Sequence, residues 1–369
     1  AAFRQHLKTA YSPSQRQALF GNMDPDQVTF DVEPNSPLDA AVHRFWCETT
    51  SDLMATLKQV ASEELGLEFA VFPNGGRPSF IQRALCDADF VMFEKSHGTY
   101  GTHPGMVSSP VFEGVSLRAY NDNILEYKFV QCLRKRVKPI ILSRPGYPQS
   151  QPWLRMNANA ARLGMAECGA LSGGGGFLLR PRFDIYHDAS NDYREFFESH
   201  PRLFAGMDAY APIAVLACPE QDWLGHRAHM WAVRAVTGVL SEAHVLFDYV
   251  SEARLTADVL SRYDAVIATD LRYVRKEQLG AIERYVREGG VLLFTQDLAP
   301  LTDAKAERDI AACPCAPVLQ AAVGKPVAFG QGRVLRCQKI EEVSKEVNGL
   351  LGCSQAVLTN ADPVFGPHV

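Results

Sequence analysis

Asp89-Phe90-Val91-Met92-Phe93-Glu94-Lys95-Ser96-His97-Gly98-Thr99-Tyr100-Gly101-Thr102-His103 is the stretch on which the reading of the fold turns. Its first part, through Phe93, is apolar without alternation. That pattern suits a strand buried on both faces, and such strands belong to parallel sheets covered by helices. Its second part gathers a carboxylate, two histidines and a tyrosine directly after the strand. Reactive groups in parallel α/β folds collect just past the carboxyl ends of the strands.

The same rhythm continues in both directions. Upstream, residues 38–64 place Val42, Phe45, Trp46, Leu53, Leu57 and Val60 at helical spacing, with Trp46 expected in the core. Glu68–Phe72 reads as a short strand ended by Pro73-Asn-Gly-Gly, and Ile81–Leu85 as a brief helix. Phe3, Leu7 and Tyr11 form a helical stripe at the beginning, followed by a proline-bearing loop to Pro37. That first helix has no cap before it, which predicts a processed or truncated start. Downstream come a helix over 123–136, a strand at Lys138–Leu142, a helix from Trp153 to Cys168, and the glycine run 173–176. A second unit begins near Pro212. Its strands are expected at 213–217, 245–250, 263–270 and 291–295, with helices at 228–243 and 276–288 and a hairpin at 327–335.

Composition excludes several classes. The 369 residues hold 47% hydrophobic and 21% charged residues, the balance of a globular chain. Arg and Lys number 37 against 42 acidic residues, a net charge of −5, which argues against a nucleic-acid partner. No apolar run approaches the ~18–20 residues of a membrane span, so no membrane partner is expected. The nine cysteines are scattered without zinc or redox spacing, read as structural thiols and weakly favour a reducing compartment.

Glu94 is the candidate catalytic residue, because a strand-end carboxylate ringed by His and Tyr suits acid–base or oxocarbenium-stabilising chemistry. A salt-bridged loop carboxylate beside Lys95 is the alternative. Asn74, His97, Tyr100, His103, Arg144 and Tyr147 are candidate substrate-binding residues, all close after strands. Asp184, Tyr186 and His187 form a weaker strand-end group, and Tyr147, Trp153 and Phe177 are candidate stacking platforms. His97 and His103 lack a third ligand at metal spacing. The glycine run 173–176 has no dinucleotide fingerprint, so neither metal nor cofactor is expected. Ala268-Thr-Asp270 shows no nucleophile elbow, and Cys218 follows a different strand; the second unit is expected to lack catalysis of its own.

Residues 1–300 resemble the A-type β-galactosidases of glycoside hydrolase family 42. The opening Phe3-Arg-Gln-His-Leu-Lys-Thr-Ala-Tyr11 with Leu19-Phe-Gly21 is similar to the family's helix after the fourth barrel strand. His43-Arg-Phe-Trp46 with Asp52 is similar to the helix that follows, and Tyr285-Val-x-x-Gly289-Gly290-Val-Leu to the family's trimerisation domain. The resemblance implies an α/β chain: the C-terminal half of a TIM barrel (residues 1–205), a doubly wound amidotransferase-like domain (206–300) and a small β-rich segment (301–369). Barrel strands five to eight would be Phe69–Asn74, Asp89–Glu94, Pro139–Arg144 and Ala170–Gly174. It also implies an oligosaccharide or polysaccharide substrate, a homo-oligomer, trimeric by resemblance, and a companion chain or missing N-terminal half to close the barrel. The family's acid/base Glu precedes this chain, and its nucleophile position reads Ser143-Arg144. A non-catalytic carbohydrate-binding or assembly subunit and a polysaccharide lyase-type enzyme therefore stand beside the hydrolase reading.

Overall fold

A computed structural model describes residues 1–33, 36–71, 88–95, 111–112, 115–116, 124–133, 138–143, 158–171, 176–179, 185–204, 210–223, 226, 228–271, 273–295, 299–301, 325–337 and 339–351. Three helices open the chain: α1 (Ala2–Ala10), α2 (Pro13–Phe20) and α3 (Pro37–Leu65). The starts of α2 and α3 follow one local rule. A serine N-cap, Ser12 or Ser36, accepts a backbone N–H from the third helical residue, and proline fills the first helical position. Phe3 and Leu7 pack on Ala41 and Val42, which anchors α1 to the first turns of α3. Arg44 lies over the Tyr11 ring and pairs with Glu48 at 2.8 Å.

Two expectations for these elements fail. Trp46 is 54% exposed rather than buried, because the core face of α3 is the one bearing Ala41, Val42 and Cys47. Glu68–Val71 is not a strand. Val71 instead accepts the Asp89 N–H at 2.9 Å and donates its own to the Asp89 carboxylate, which Lys58 also holds at 2.8 Å.

The first sheet joins β1 (Phe90–Lys95), β4 (Lys138–Ser143) and β5 (Gly176–Leu179), all parallel. The short hairpin β2 (Val111–Phe112) and β3 (Val115–Ser116) and helix α4 (Ile124–Leu133) connect β1 to β4; α5 (Ala158–Leu171) connects β4 to β5. Ala170 and Leu171, expected to open strand eight, close α5 instead. Both are strong helix formers continuing a helical run, and the strand begins only at Gly176. Helices α6 (Ile185–Ser199) and α7 (Pro201–Phe204) follow.

The second sheet has six strands: β6 (Ile213–Leu216), β7 (Phe247–Val250), β8 (Ala265–Ala268), β10 (Val291–Phe294), β12 (Val327–Phe329) and β13 (Gly332–Arg336). Their order is β12-β13-β10-β8-β6-β7, with β12 antiparallel at one edge and the rest parallel. Helices α8 (Glu220–Trp223), α9 (Ala228–Glu242), α10 (Ala257–Leu260), α11 (Lys276–Arg287) and α12 (Val343–Leu351) complete this unit, with a small parallel pair, β9 (Tyr273–Arg275) and β11 (Ala299–Leu301). Leaving out the antiparallel edge strand, the chain order is that of doubly wound folds whose direction of winding reverses next to the first strand, here between β6 and β8. Alternation explains the uninterrupted apolar runs. Ile213, Val215 and Ala217 enter one buried cluster, and Ala214, Leu216 and Cys218 enter the cluster on the opposite face. Within the segment expected to be a separate C-terminal piece, the second strand of the hairpin, β13, pairs directly with β10, and β12 pairs with β13.

Close approach dictates the Tyr285/Gly290 pattern. The Tyr285 hydroxyl accepts the Val291 N–H at 3.2 Å, and its ring leaves no room for a Cβ on Gly290, which would fall 2.2 Å from the ring carbon bearing the hydroxyl. A Cβ on Gly332 would fall 2.2 Å from the Val286 and Gly290 carbonyl oxygens. Small residues there let α11, β10 and β13 meet.

The two sheets share one core. Val91, Phe129, Val130 and Leu133 belong to the same buried cluster as Ile213, Phe247 and Tyr249. Polar contacts line this junction: Lys128 to Asp248 at 2.8 Å, the Ser251 hydroxyl donating to the Cys132 carbonyl at 3.0 Å, and Arg254 to the Gln131 carbonyl.

Candidate functional site

The three strands of the first sheet end in one row. Lys95 is in register with Ser143, and Ser143 with Leu179, so the chain leaves all three strands from a common carboxyl edge. Glu94 belongs to β1 and pairs in register with Leu142. Strand alternation sets it on the face shared with Phe90 and Met92. The other face bears Val91, fully buried, and Phe93, both packed on the joint core; Ile141, in register with Phe93, is buried as well. Position 94 therefore belongs to the less covered face of the sheet, at its carboxyl edge. Asn74, His97, Tyr100, His103, Arg144, Tyr147, Trp153 and Asp184 lie outside the described residues. Tyr186 and His187 fall in the first turn of α6 rather than in a strand-end loop.

A second polar group occupies the carboxyl edge of the other sheet, at the point between β6 and β8 where the winding reverses. Cys218, just past β6, donates its N–H to His229 Nε2 at 2.9 Å; His229 Nδ1 then donates to the Thr269 carbonyl at 2.8 Å. Those two bonds define a neutral imidazole with its proton on Nδ1. Burial lowers the His229 pKa to about 4. His226 Nε2 lies 3.0 Å from both the carbonyl oxygen and the carboxylate Oδ1 of Asp270, a residue held at φ 43°. The Thr269 and Thr295 hydroxyls bond at 3.0 Å. Burial pushes the Cys218 thiol well above its ordinary pKa, so it is a thiol and not a nucleophilic thiolate. The group's hydrogen bonds close on one another and on backbone, which makes it a clasp between strand ends. Cys218 and Asp270 stood out in the sequence as strand-end residues; His226 and His229, at the start of the intervening helix, did not.

Among the described residues no three His, Cys, Asp or Glu side chains converge as a metal site, and no helix is long and apolar enough to cross a membrane. Cys47, Cys132, Cys168, Cys218 and Cys337 form no disulfide.

No family model matches the sequence, and no curated protein matches it either. Solved structures do match. A β-galactosidase from the Antarctic haloarchaeon Halorubrum lacusprofundi superposes over 96% of this chain and 67% of its own, with TM-score 0.68 and 16% identity. The β-galactosidase of Marinomonas ef1 matches over 97% of this chain and 69% of its own, with TM-score 0.67 and 12% identity. A family 42 exo-carrageenase of Bacteroides ovatus matches over 95% of this chain but 50% of its own, with TM-score 0.66 and 12% identity. The chain thus spans about two thirds of the first two structures and half of the third. It has the mixed α/β fold with parallel sheets seen in family 42 glycoside hydrolases, and its described strands do not close into a barrel.

Proposed function

We propose that the chain is a glycoside hydrolase-like protein acting on glycosidic bonds of oligo- or polysaccharides. The observation that carries this reading is the likeness to β-galactosidase and exo-carrageenase structures over nearly the whole chain. The row of strand ends supports it, because it sets Glu94 at the edge where such folds keep their reactive groups. In this reading Glu94 is a general acid or base. Asn74, His97, Tyr100, His103, Arg144 and Tyr147 line the sugar site. A retaining mechanism needs a second carboxylate ~5 Å away. Position 143–144 supplies none, so that carboxylate belongs to the remaining half of the barrel, on a companion chain or an upstream segment. The proposed organisation keeps a half-barrel at 1–205, an amidotransferase-like domain at 206–300 and a C-terminal segment at 301–369, assembled as a homo-oligomer.

The test is hydrolysis of p-nitrophenyl β-D-galactoside and of carrageenan oligosaccharides, with product analysis. Glu94→Gln is expected to lower turnover by at least ~100-fold. Unchanged turnover removes Glu94 from the mechanism. An unsaturated sugar product transfers the chain to the lyases, and sugar binding by calorimetry without turnover makes it a binding or assembly subunit.

A further inference from the structure

Two neighbouring strands of the first sheet finish on the same short sequence. β4 ends Leu142-Ser143 and the chain continues Arg144-Pro145; β5 ends Leu178-Leu179 and continues Arg180-Pro181. Leu142 pairs with Leu178 and Ser143 with Leu179, so the chain reaches both arginines on the same step. Glu94 pairs with Leu142, which sets Glu94, Leu142 and Leu178 in one row across the sheet. Each arginine follows its leucine by two residues, the strand period that returns to the same face. A proline disfavours the helical region for the residue before it, so the strand period carries to both arginine positions.

Neighbouring strands lie ~4.8 Å apart, which brings the two positions side by side. Like charges opposite each other on adjacent strands repel, and the surrounding sequence does little to relieve them. From Arg134 to Arg182 it holds nine Lys and Arg against one acid, Glu167, in a chain whose net charge is −5. Glu167 belongs to α5 and not to the strand-end edge. Glu94 stands in the row, but it is one carboxylate for two arginines, and β4 separates β5 from its strand. Paired guanidinium groups are the donor set that takes an oxyanion through parallel hydrogen bonds.

We propose that Arg144 and Arg180 form an anion subsite on the Glu94 face of the strand-end row, and that the saccharide acted on there carries an oxyanion, a sulfate ester or a carboxylate. The proposal rests on the glycoside-hydrolase reading above and narrows its substrate class.

Calorimetry on the full chain tests it with carrageenan oligosaccharides for sulfate and oligogalacturonides for carboxylate. Each is compared with its own desulfated or carboxyl-reduced form. One anionic probe is expected to bind at least ~10-fold tighter than its uncharged counterpart, which also identifies the oxyanion. Its affinity is expected to fall as salt rises. Arg180→Gln is expected to weaken that probe at least ~10-fold, and Arg180→Lys to weaken it less, because lysine keeps the charge and loses the fork. Arg202→Gln, an exposed change on α7, removes the same charge and leaves binding unaltered. Uncharged forms that bind as well as both anionic probes overturn the proposal and leave the glycosidase reading standing; that comparison needs no variant to fold. An Arg180→Gln protein with a lower urea midpoint and undiminished anion affinity overturns it as well, since the arginine then serves the protein's own carboxylates. An anionic probe that is bound but never cleaved keeps the subsite and removes the hydrolase reading. Binding of none of the probes overturns both.

Discussion

Acid should loosen the second sheet through His229, and the size of the effect follows from its surroundings. His229 is fully buried, accepts from the Cys218 N–H and donates to the Thr269 carbonyl. Protonating Nε2 would remove the acceptor that Cys218 needs and would bury a charge, a cost that outweighs the favourable Thr269 carbonyl and Asp270 and that His226 adds to. The folded protein therefore binds this proton at about pH 4, whereas the unfolded chain binds it at about 6.5. Above pH 6.5 the imidazole is neutral in both states and the contribution is fully present. Between 6.5 and 4 only the unfolded chain takes up the proton, so stability falls as pH falls, at about 1.4 kcal/mol per pH unit. Over that window the loss comes to about 3 kcal/mol. Urea unfolding of the native protein and of His229→Gln, from pH 7.5 to 4.5, isolates the residue from the carboxylates that titrate in both. The variant should be less stable at pH 7.5 but show a flatter decline with acid. Parallel declines would refute the argument. So would an NMR titration of the His229 Cε1 proton with a midpoint near 6.5.

Gly290→Ala should destabilise the protein by about 2–4 kcal/mol in urea, because its Cβ meets the Tyr285 ring at 2.2 Å in a packed core; Gly290→Ala combined with Tyr285→Ala should recover part of that loss. Iodoacetamide under native conditions should label Cys168, the one of the five described thiols that is not buried, before Cys47, Cys132, Cys218 and Cys337. Desolvation, which pushes Cys337 up to about 12, removes the thiolate as well as the access. Phe129→Ala should cost about 3–4 kcal/mol. Because Phe129 joins the two sheets' core, hydrogen exchange should rise together in β4 and β6; a rise in β4 alone would mean that the two units open independently.

Much of this fold is legible locally. The stripe of Phe3, Leu7 and Tyr11 and the spacing over 38–64 mark helices, while the serine caps at Ser12 and Ser36 emerge only in the structure. The apolar runs at 213–217, 265–268 and 291–294 become strands buried on both faces. What the sequence could not supply is partner identity. Helical spacing places Trp46 and Val42 on adjacent faces of α3 but does not say which face α1 covers. The Ala170–Gly174 run is equally apolar as strand or helix end, and only the register with β4 assigns the strand to Gly176 onward. His226 and His229 escape because their partners are backbone carbonyls 44 and 40 residues away, which no spacing announces.

The two sheets obey the same rule and reach opposite ends. Each gathers polar residues where its parallel strands finish. In the second sheet that edge is sealed: every hydrogen bond named for His226 and His229 runs to the strand ends themselves, the Cys218 thiol is desolvated, and a buried His–Asp contact pins Asp270 at a positive φ. Chemistry there would require breaking the bonds that hold the strands in register. In the first sheet the edge belongs to strands whose helix side is deeply buried and whose opposite side, bearing position 94, is less covered. Position 94 thus lies at a strand end away from the joint core, whereas the matching edge of the second sheet is already closed by His226 and His229.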